Sequence, residues 1–223
     1  APERENLASL GKFGLGLKTA STSVCLNVSV VTRKRHSDDL YKLTWDLDDV
    51  AQTKKWDMLE EDVSDDEREK FDKHCGAKGT LVIWSNCDRM LQKEYEPGSS
   101  SELNAVRRLV KRLTEHVALT YYRFIDKNDD RAKNITILIN GQKVTHWNPF
   151  LPEKSDQMLT AENQVQIVEL EDGSSEEINI QAWILPPKSN LTKEEENRAK
   201  ISNHRQGFYI HRENRVIQAG GWL

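Results

Sequence analysis

The chain has 223 residues, 32 Lys and Arg against 36 Asp and Glu, and a formal net charge of −4 at pH 7. That length supports one large core or two modest ones, and a 30% charged fraction of mixed sign excludes both a disordered polyelectrolyte and a basic field for nucleic acid. No apolar run reaches membrane-spanning length, "APERENLASL" at the start is not a signal peptide, and Cys25, Cys75 and Cys87 fit no paired zinc spacing, so a cytoplasmic protein with reduced thiols, no membrane and no metal ligands is expected.

Residues 1–10 read as a polar loop. Gly11, Gly14 and Gly16 then lead into "LGLKTASTSVC", which has no breaker after Gly16 and predicts a helix to about Cys25. "LNVSVVTRK" (26–34) predicts a strand, as does "LYKLTWDL" (40–47), where Leu40, Lys42 and Thr44 alternate with Tyr41, Leu43 and Trp45. "DDEREKFDKHC" (65–75) predicts a charged, exposed helix. The apolar run in "GTLVIWSNCD" (79–88) predicts a central strand.

After a linker, "EYEPGSSSEL", the capping box Ser99-x-x-Glu102 opens the clearest helix. Leu103, Val106, Val110, Leu113 and Val117 predict a core-facing stripe. Arg107, Arg108, Lys111 and Arg112 then form its solvated face, in preference to a DNA-binding one. From 134 the texture is β: hairpins turning at Asn140-Gly141, at Asp172-Gly173 and near Glu213-Asn214. A domain change within or just after the long helix gives domains 1–125 and 126–223.

Three glycine-rich phosphate cradles compete for "GKFGLGLKTA". A Rossmann fingerprint would need glycine where Thr19 stands. A P-loop fails because Leu17 intrudes before Lys18-Thr19 and turns the lysine about 100° around the helix. What remains is G-x-x-G-x-G. Its glycines allow positive φ and close backbone approach, suiting a mobile lid over phosphates, with the following helix's N-terminus and Lys18 adding positive charge; a plain glycine-rich turn before a helix has the same spacing.

"LGKFGLGLKTAS" resembles the lid-and-helix motif of the GHKL superfamily, which includes DNA gyrase, the large ATP-driven heat-shock chaperone, sensor histidine kinases and MutL. Gly79-Thr80 is similar to that family's later Gly-Thr motif, and "YYRFI", "ILINGQKV", "NPF" and "QGFYIHRENRVIQAGGWL" look like the bacterial chaperone- and MORC-related subgroup. The resemblance implies an α+β chain: the C-terminal half of a GHKL-type α/β sandwich, followed by a transducer-like (ribosomal S5-like) α+β domain. It also implies ATP with Mg2+, gripped by Gly11, Lys12, Phe13, Gly14, Leu15, Gly16, Leu17 and Lys18, with Thr80 beside the nucleotide and Arg205 as γ-phosphate sensor. The family's general-base Glu, magnesium-binding Asn and D-x-G-x-G loop lie ahead of the lid, and the ten residues before Gly11 carry none of them. The chain alone is therefore expected not to hydrolyse ATP. The parent is expected to be an ATP-driven conformational switch, with a homodimer as its candidate assembly. Its rivals are a non-enzymatic protein-interaction module with a vestigial nucleotide site and an ATP-gated nucleic-acid clamp.

Overall fold

The computed structural model describes residues 14–33, 37–91 and 93–222. The chain divides into two compact units, Ala1–Val106 and Arg107–Leu223. Helix and strand are mixed in both, as an α+β chain requires.

In the first unit the order is α1 (Gly16–Thr22), β1 (Asn27–Arg33), β2 (Leu40–Asp46), α2 (Leu47–Thr53), β3 (Leu59–Glu61), α3 (Asp65–His74) and β4 (Thr80–Ser85). The strands form one antiparallel sheet in the order β3-β2-β1-β4. β2 stops at Asp46 because that carboxylate turns to accept hydrogen bonds from the Asp48 and Asp49 amides and caps α2. α3 starts from a capping box between Ser64 and Glu67.

Directly paired residues share a sheet face. Val28, Val30, Leu43, Trp45, Val82 and Trp84 therefore lie on one face, and Ser29, Val31, Lys42, Thr44, Leu81 and Ile83 on the other. The second, more polar face is the better packed. Val31 and the α3 residue Phe71 are fully buried, and Arg33 stacks its guanidinium 5.2 Å from the Phe71 ring centroid. Lys42 Nζ lies 2.9 Å from Glu67 and 3.3 Å from Glu61. Thr44 donates to Glu61 and sits 2.9 Å from the Ser29 hydroxyl. This chain of partners is what allows a lysine and two hydroxyls inside the sheet-helix layer.

On the apolar face Tyr41, Leu43, Val82 and Trp84 stay open to solvent. The central-strand expectation for 79–88 fails: β4 pairs only with β1 among the described residues and is an edge. Its apolar run arises because both sheet faces are apolar at β4, not because both are covered. At its start, Gly79 (φ +154°) passes so close to Cys75 that an added Cβ would sit 2.9 Å from the Cys75 Cβ, so no side chain fits there.

α4 (Ser100–Thr120) runs across the division between units. Its apolar stripe is not the buried face expected. Leu103, Val106 and Leu113 are exposed, whereas Ala105, Ala118 and Thr120 are buried. Periodicity records that a helix face is apolar; it does not supply the neighbour that covers it.

The second unit continues with α5 (Tyr122–Ile125), β5 (Leu138–Ile139), β6 (Gln142–Lys143), β7 (Asp156–Gln157), α6 (Ala161–Gln164), β8 (Val165–Glu169), β9 (Ser175–Asn179), β10 (Trp183–Ile184), α7 (Lys193–Ala199), β11 (Tyr209–Arg212) and β12 (Arg215–Ala219). These strands form four antiparallel two-stranded ribbons: β5-β6, β7-β10, β8-β9 and β11-β12. Asn140 and Gly141 both take positive φ, as do Glu213 and Asn214, so two of the three hairpin turns have the left-handed pair that matches strand twist. The core joins Ala118, Ile125, Val144 and Trp147. Nearby, Phe150 meets Tyr209, Trp183 and His211 edge-on, stacked and tilted, at ring distances of 5.1, 6.3 and 6.4 Å.

Candidate nucleotide site

The described part of the glycine segment begins at Gly14, which takes φ +69°, a left-handed turn that feeds α1 at Gly16. α1 is held firmly at its end and loosely at its start. Trp84 Nε1 donates to Ser21 Oγ at 2.9 Å, Arg89 Nη1 donates to the Thr22 carbonyl at 3.2 Å, and Ser21 and Cys25 are fully buried. Burial of the Cys25 thiol, with Cys87 close by, pushes its pKa up and keeps it an unreactive packing group. By contrast Leu15 is 57% and Leu17 47% exposed, no side chain caps the first turn, and that turn holds no acidic residue. Among the described residues, the hydrogen bonds that tie α1 to the sheet and the loop after β4 therefore lie at its far end.

Lys18 does not extend into solvent. Its Nζ lies 4.0 Å from the centroid of Trp56 and 5.4 Å from that of Trp45. The ammonium is thus held over two indole rings, an attraction that keeps the cation without neutralising it. Gly11, Lys12 and Phe13 lie outside the described residues. Gly14, Leu15, Gly16, Leu17 and Lys18 are together by sequence.

Thr80 opens β4 opposite Thr32, whose hydroxyl donates to the Gly79 carbonyl at 3.2 Å. Trp84, the α1 anchor, is four residues further along, or about 13 Å of extended strand. None of the described contacts of Lys18 or α1 involves Thr80.

Arg205 belongs to the second unit. Nη1 donates to the Lys200 carbonyl at 2.9 Å, and the guanidinium carbon lies 4.7 Å from the Trp147 ring centroid, beside Lys200 Nζ at 4.4 Å. Tyr209 donates to the Arg205 carbonyl at 2.8 Å. Arg205 lines a shallow pocket of about 230 Å3 with Arg112, Glu115, His116, Trp147 and Tyr209. Its charged lining is Arg112 and Arg205 against Glu115, which is drawn towards Lys200 at 3.7 Å.

Sequence reasoning missed Trp45, Trp56, Trp84 and Arg89. A signal existed for two of them: Trp45 and Trp84 flank Val28 in register on β2 and β4. Trp56 and Arg89 reach α1 from loops, and no spacing rule pairs them with it.

Residues 1–78 match the family model described as Histidine kinase-, DNA gyrase B-, and HSP90-like ATPase. The first third of the chain is therefore similar to a GHKL-type ATP-binding module. The matched stretch contains the glycine segment and Lys18 and ends before Thr80. No curated protein and no solved structure matches. Among the described residues, no helix is long and apolar enough to cross a membrane.

Proposed function

We propose that this chain is part of a GHKL-type ATP-driven conformational switch, in which the segment from Gly11 to Lys18 is the lid that grips the phosphates of Mg-ATP. The observation that carries the reading is the family match over the very residues where a left-handed Gly14 leads into a helix whose described hydrogen-bond anchors lie at its far end. On closure the glycines bring backbone amides to the phosphate oxygens, and Lys18 exchanges its indole platform for a phosphate charge. Thr80 would stand beside the nucleotide.

The general base and the magnesium ligand come from outside residues 1–223 in this reading. The open apolar face of Tyr41, Leu43, Val82 and Trp84 supports it, since an α/β sandwich covers both faces of its sheet. Residues from about 126 onward act as the transducer-like domain, and Arg205, a permanent cation on an aromatic platform, is the γ-phosphate sensor. The chaperone- and MORC-like subgroup and a dimeric switch belong to the same proposal.

Titration of a fluorescent ATP analogue into the protein tests it. Saturable, Mg-dependent binding that unlabelled ATP displaces is expected, weakened about tenfold by Lys18→Ala and lost in a Gly14→Val, Gly16→Val double variant. An analogue signal that is the same in wild type and double variant would overturn the lid assignment. Turnover by the chain itself, abolished by Lys18→Ala, would overturn the external general base.

A further inference from the structure

The β8-β9 hairpin has no role in the nucleotide reading, and its construction is unusual for a segment of a globular unit. From Ala161 to Pro187 there is no Lys, Arg or His, in a chain that elsewhere carries 32 Lys and Arg. Five carboxylates, Glu169, Glu171, Asp172, Glu176 and Glu177, lie on the hairpin. Every residue of both strands is exposed. The ribbon is nonetheless well formed: Leu170 N donates to the Ser174 carbonyl at 2.8 Å, Asp172 Oδ1 accepts from the Ser174 amide at 2.9 Å, and Ile180 N closes onto the Gln164 carbonyl at 2.6 Å.

Register assigns its two faces different chemistry. Val168 opposes Glu176 and Gln166 opposes Ile178. One face therefore gathers Val168, Leu170, Ile178 and Ile180, each 38–48% exposed, with Glu176 and Gln166 beside them. On the other face Glu169 and Glu177 flank Ile167, with Val165 and Asn179 at its far end. Among the described residues each strand pairs only with the other, so both outer edges offer unpaired backbone donors and acceptors. A two-stranded ribbon with an uncovered apolar face is marginal alone, and an open edge is the usual template for strand addition.

We infer that the β8-β9 hairpin docks an extended basic peptide segment of a partner protein by strand addition, its apolar side chains alternating with Lys or Arg. Alternation follows from the two faces: apolar residues continue the Val168, Ile178 and Ile180 surface, and cations meet Glu169 and Glu177 on the reverse. A second copy of the hairpin is a poor occupant, because it would set five carboxylates against five.

The test uses the full chain and a short labelled peptide of alternating valine and lysine, followed by anisotropy. Saturable binding is expected, weakening with salt, and falling about tenfold or more in Ile178→Asn and in Glu169→Lys with Glu177→Lys. These positions are exposed, so the far-UV spectrum of each variant should match wild type. A peptide of alternating serine and lysine should bind at least about tenfold more weakly than the valine peptide. Absence of saturable binding, equal binding by wild type and both variants, or equal binding of the two peptides would overturn the proposal. So would concentration-dependent self-association of the free chain that Ile178→Asn removes.

Discussion

The two units stabilise β structure by different means. In the first, one four-stranded ladder fixes the register over seven residues of β1, and the polar chain Ser29, Thr44, Glu61, Lys42 and Glu67 locks sheet to helix. In the second, four ribbons of two strands carry too few ladder bonds to stand alone. Side chains tie one of them, β11-β12, to α5 and the loop after it: Arg123 donates to Tyr122 and to Asn214, Asn214 donates to the Arg131 carbonyl, and Tyr122 lies 3.2 Å from His211. The first unit is thus vulnerable at an ion cluster, and the second at close approaches and at an aromatic-histidine junction.

The most damaging single change should fall in the second unit, at Gly207. Its φ is +110°, and an added Cβ would lie 2.0 Å from the Gly221 carbonyl oxygen, in the bridge that closes the β11-β12 ribbon. Gly207→Ala is expected to cost on the order of 4 kcal/mol, read from the denaturant midpoint. Gly173→Ala, at φ +81° but in open space, should cost only about 1 kcal/mol. Similar midpoints for the two variants would show that the bridge is dispensable.

In the first unit, Lys42→Ala strands the largely buried Glu67 and should cost about 3 kcal/mol. It should also reshape the pH profile. Burial pushes the Glu67 carboxyl up, but the Ser64 amide and Lys42 outweigh it and hold it below the usual range. Burial likewise opposes the Lys42 charge, and its hydrogen bonds to Glu67 and Glu61 raise it overall. The pair's contribution is therefore present at neutral pH, is lost as acid protonates Glu67, and is lost again as alkali discharges Lys42. A Lys42→Ala variant should show shallower acid and alkaline limbs in urea titrations.

The corresponding titration in the second unit is at His211. Burial first, then the Arg123 charge, lowers its pKa from 6.5 to about 4. Between those values the unfolded chain binds a proton that the folded chain refuses, so stability is fully present above pH 6.5 and falls towards pH 4, by about 2 kcal/mol. His211→Gln should flatten that window and leave the carboxylate limb of the first unit in place. An unchanged slope would locate the acid sensitivity elsewhere.

What the sequence made legible was local. Asn140-Gly141 and Glu213-Asn214 encode their turns in backbone preference alone, and all four residues take positive φ. The Ser99-Glu102 pair likewise opens α4, with the Glu102 amide donating to the Ser99 hydroxyl. The same code at Thr192 and Glu195 opens α7, where no apolar periodicity follows to mark a helix in the sequence. Coverage was not legible. The alternation in β2 says that two faces differ, yet the face with Lys42 and Thr44 became the packed one because α3 and β3 bring partners from outside the strand. Spacing marks the glycine segment and Lys18 as candidates. It does not mark the indoles beneath Lys18, since a contact between Lys18 and Trp56 depends on where the sheet and the loop after α2 place them.

That contact also sets the smallest effect, and it bears directly on the lid. With Nζ 4.0 Å from the Trp56 centroid, Lys18→Met should lower the stability of the nucleotide-free chain by only about 0.5–1 kcal/mol, less than any change above. Its spectroscopic consequence is sharper. If closure moves the ammonium from indole to phosphate, Mg-ATP should change the tryptophan emission of wild type, whereas Trp56→Phe and Lys18→Met should each lose most of that change. A full emission change in Trp56→Phe would mean that Lys18 stays on its platform when nucleotide binds, and that the glycine backbone alone meets the phosphates.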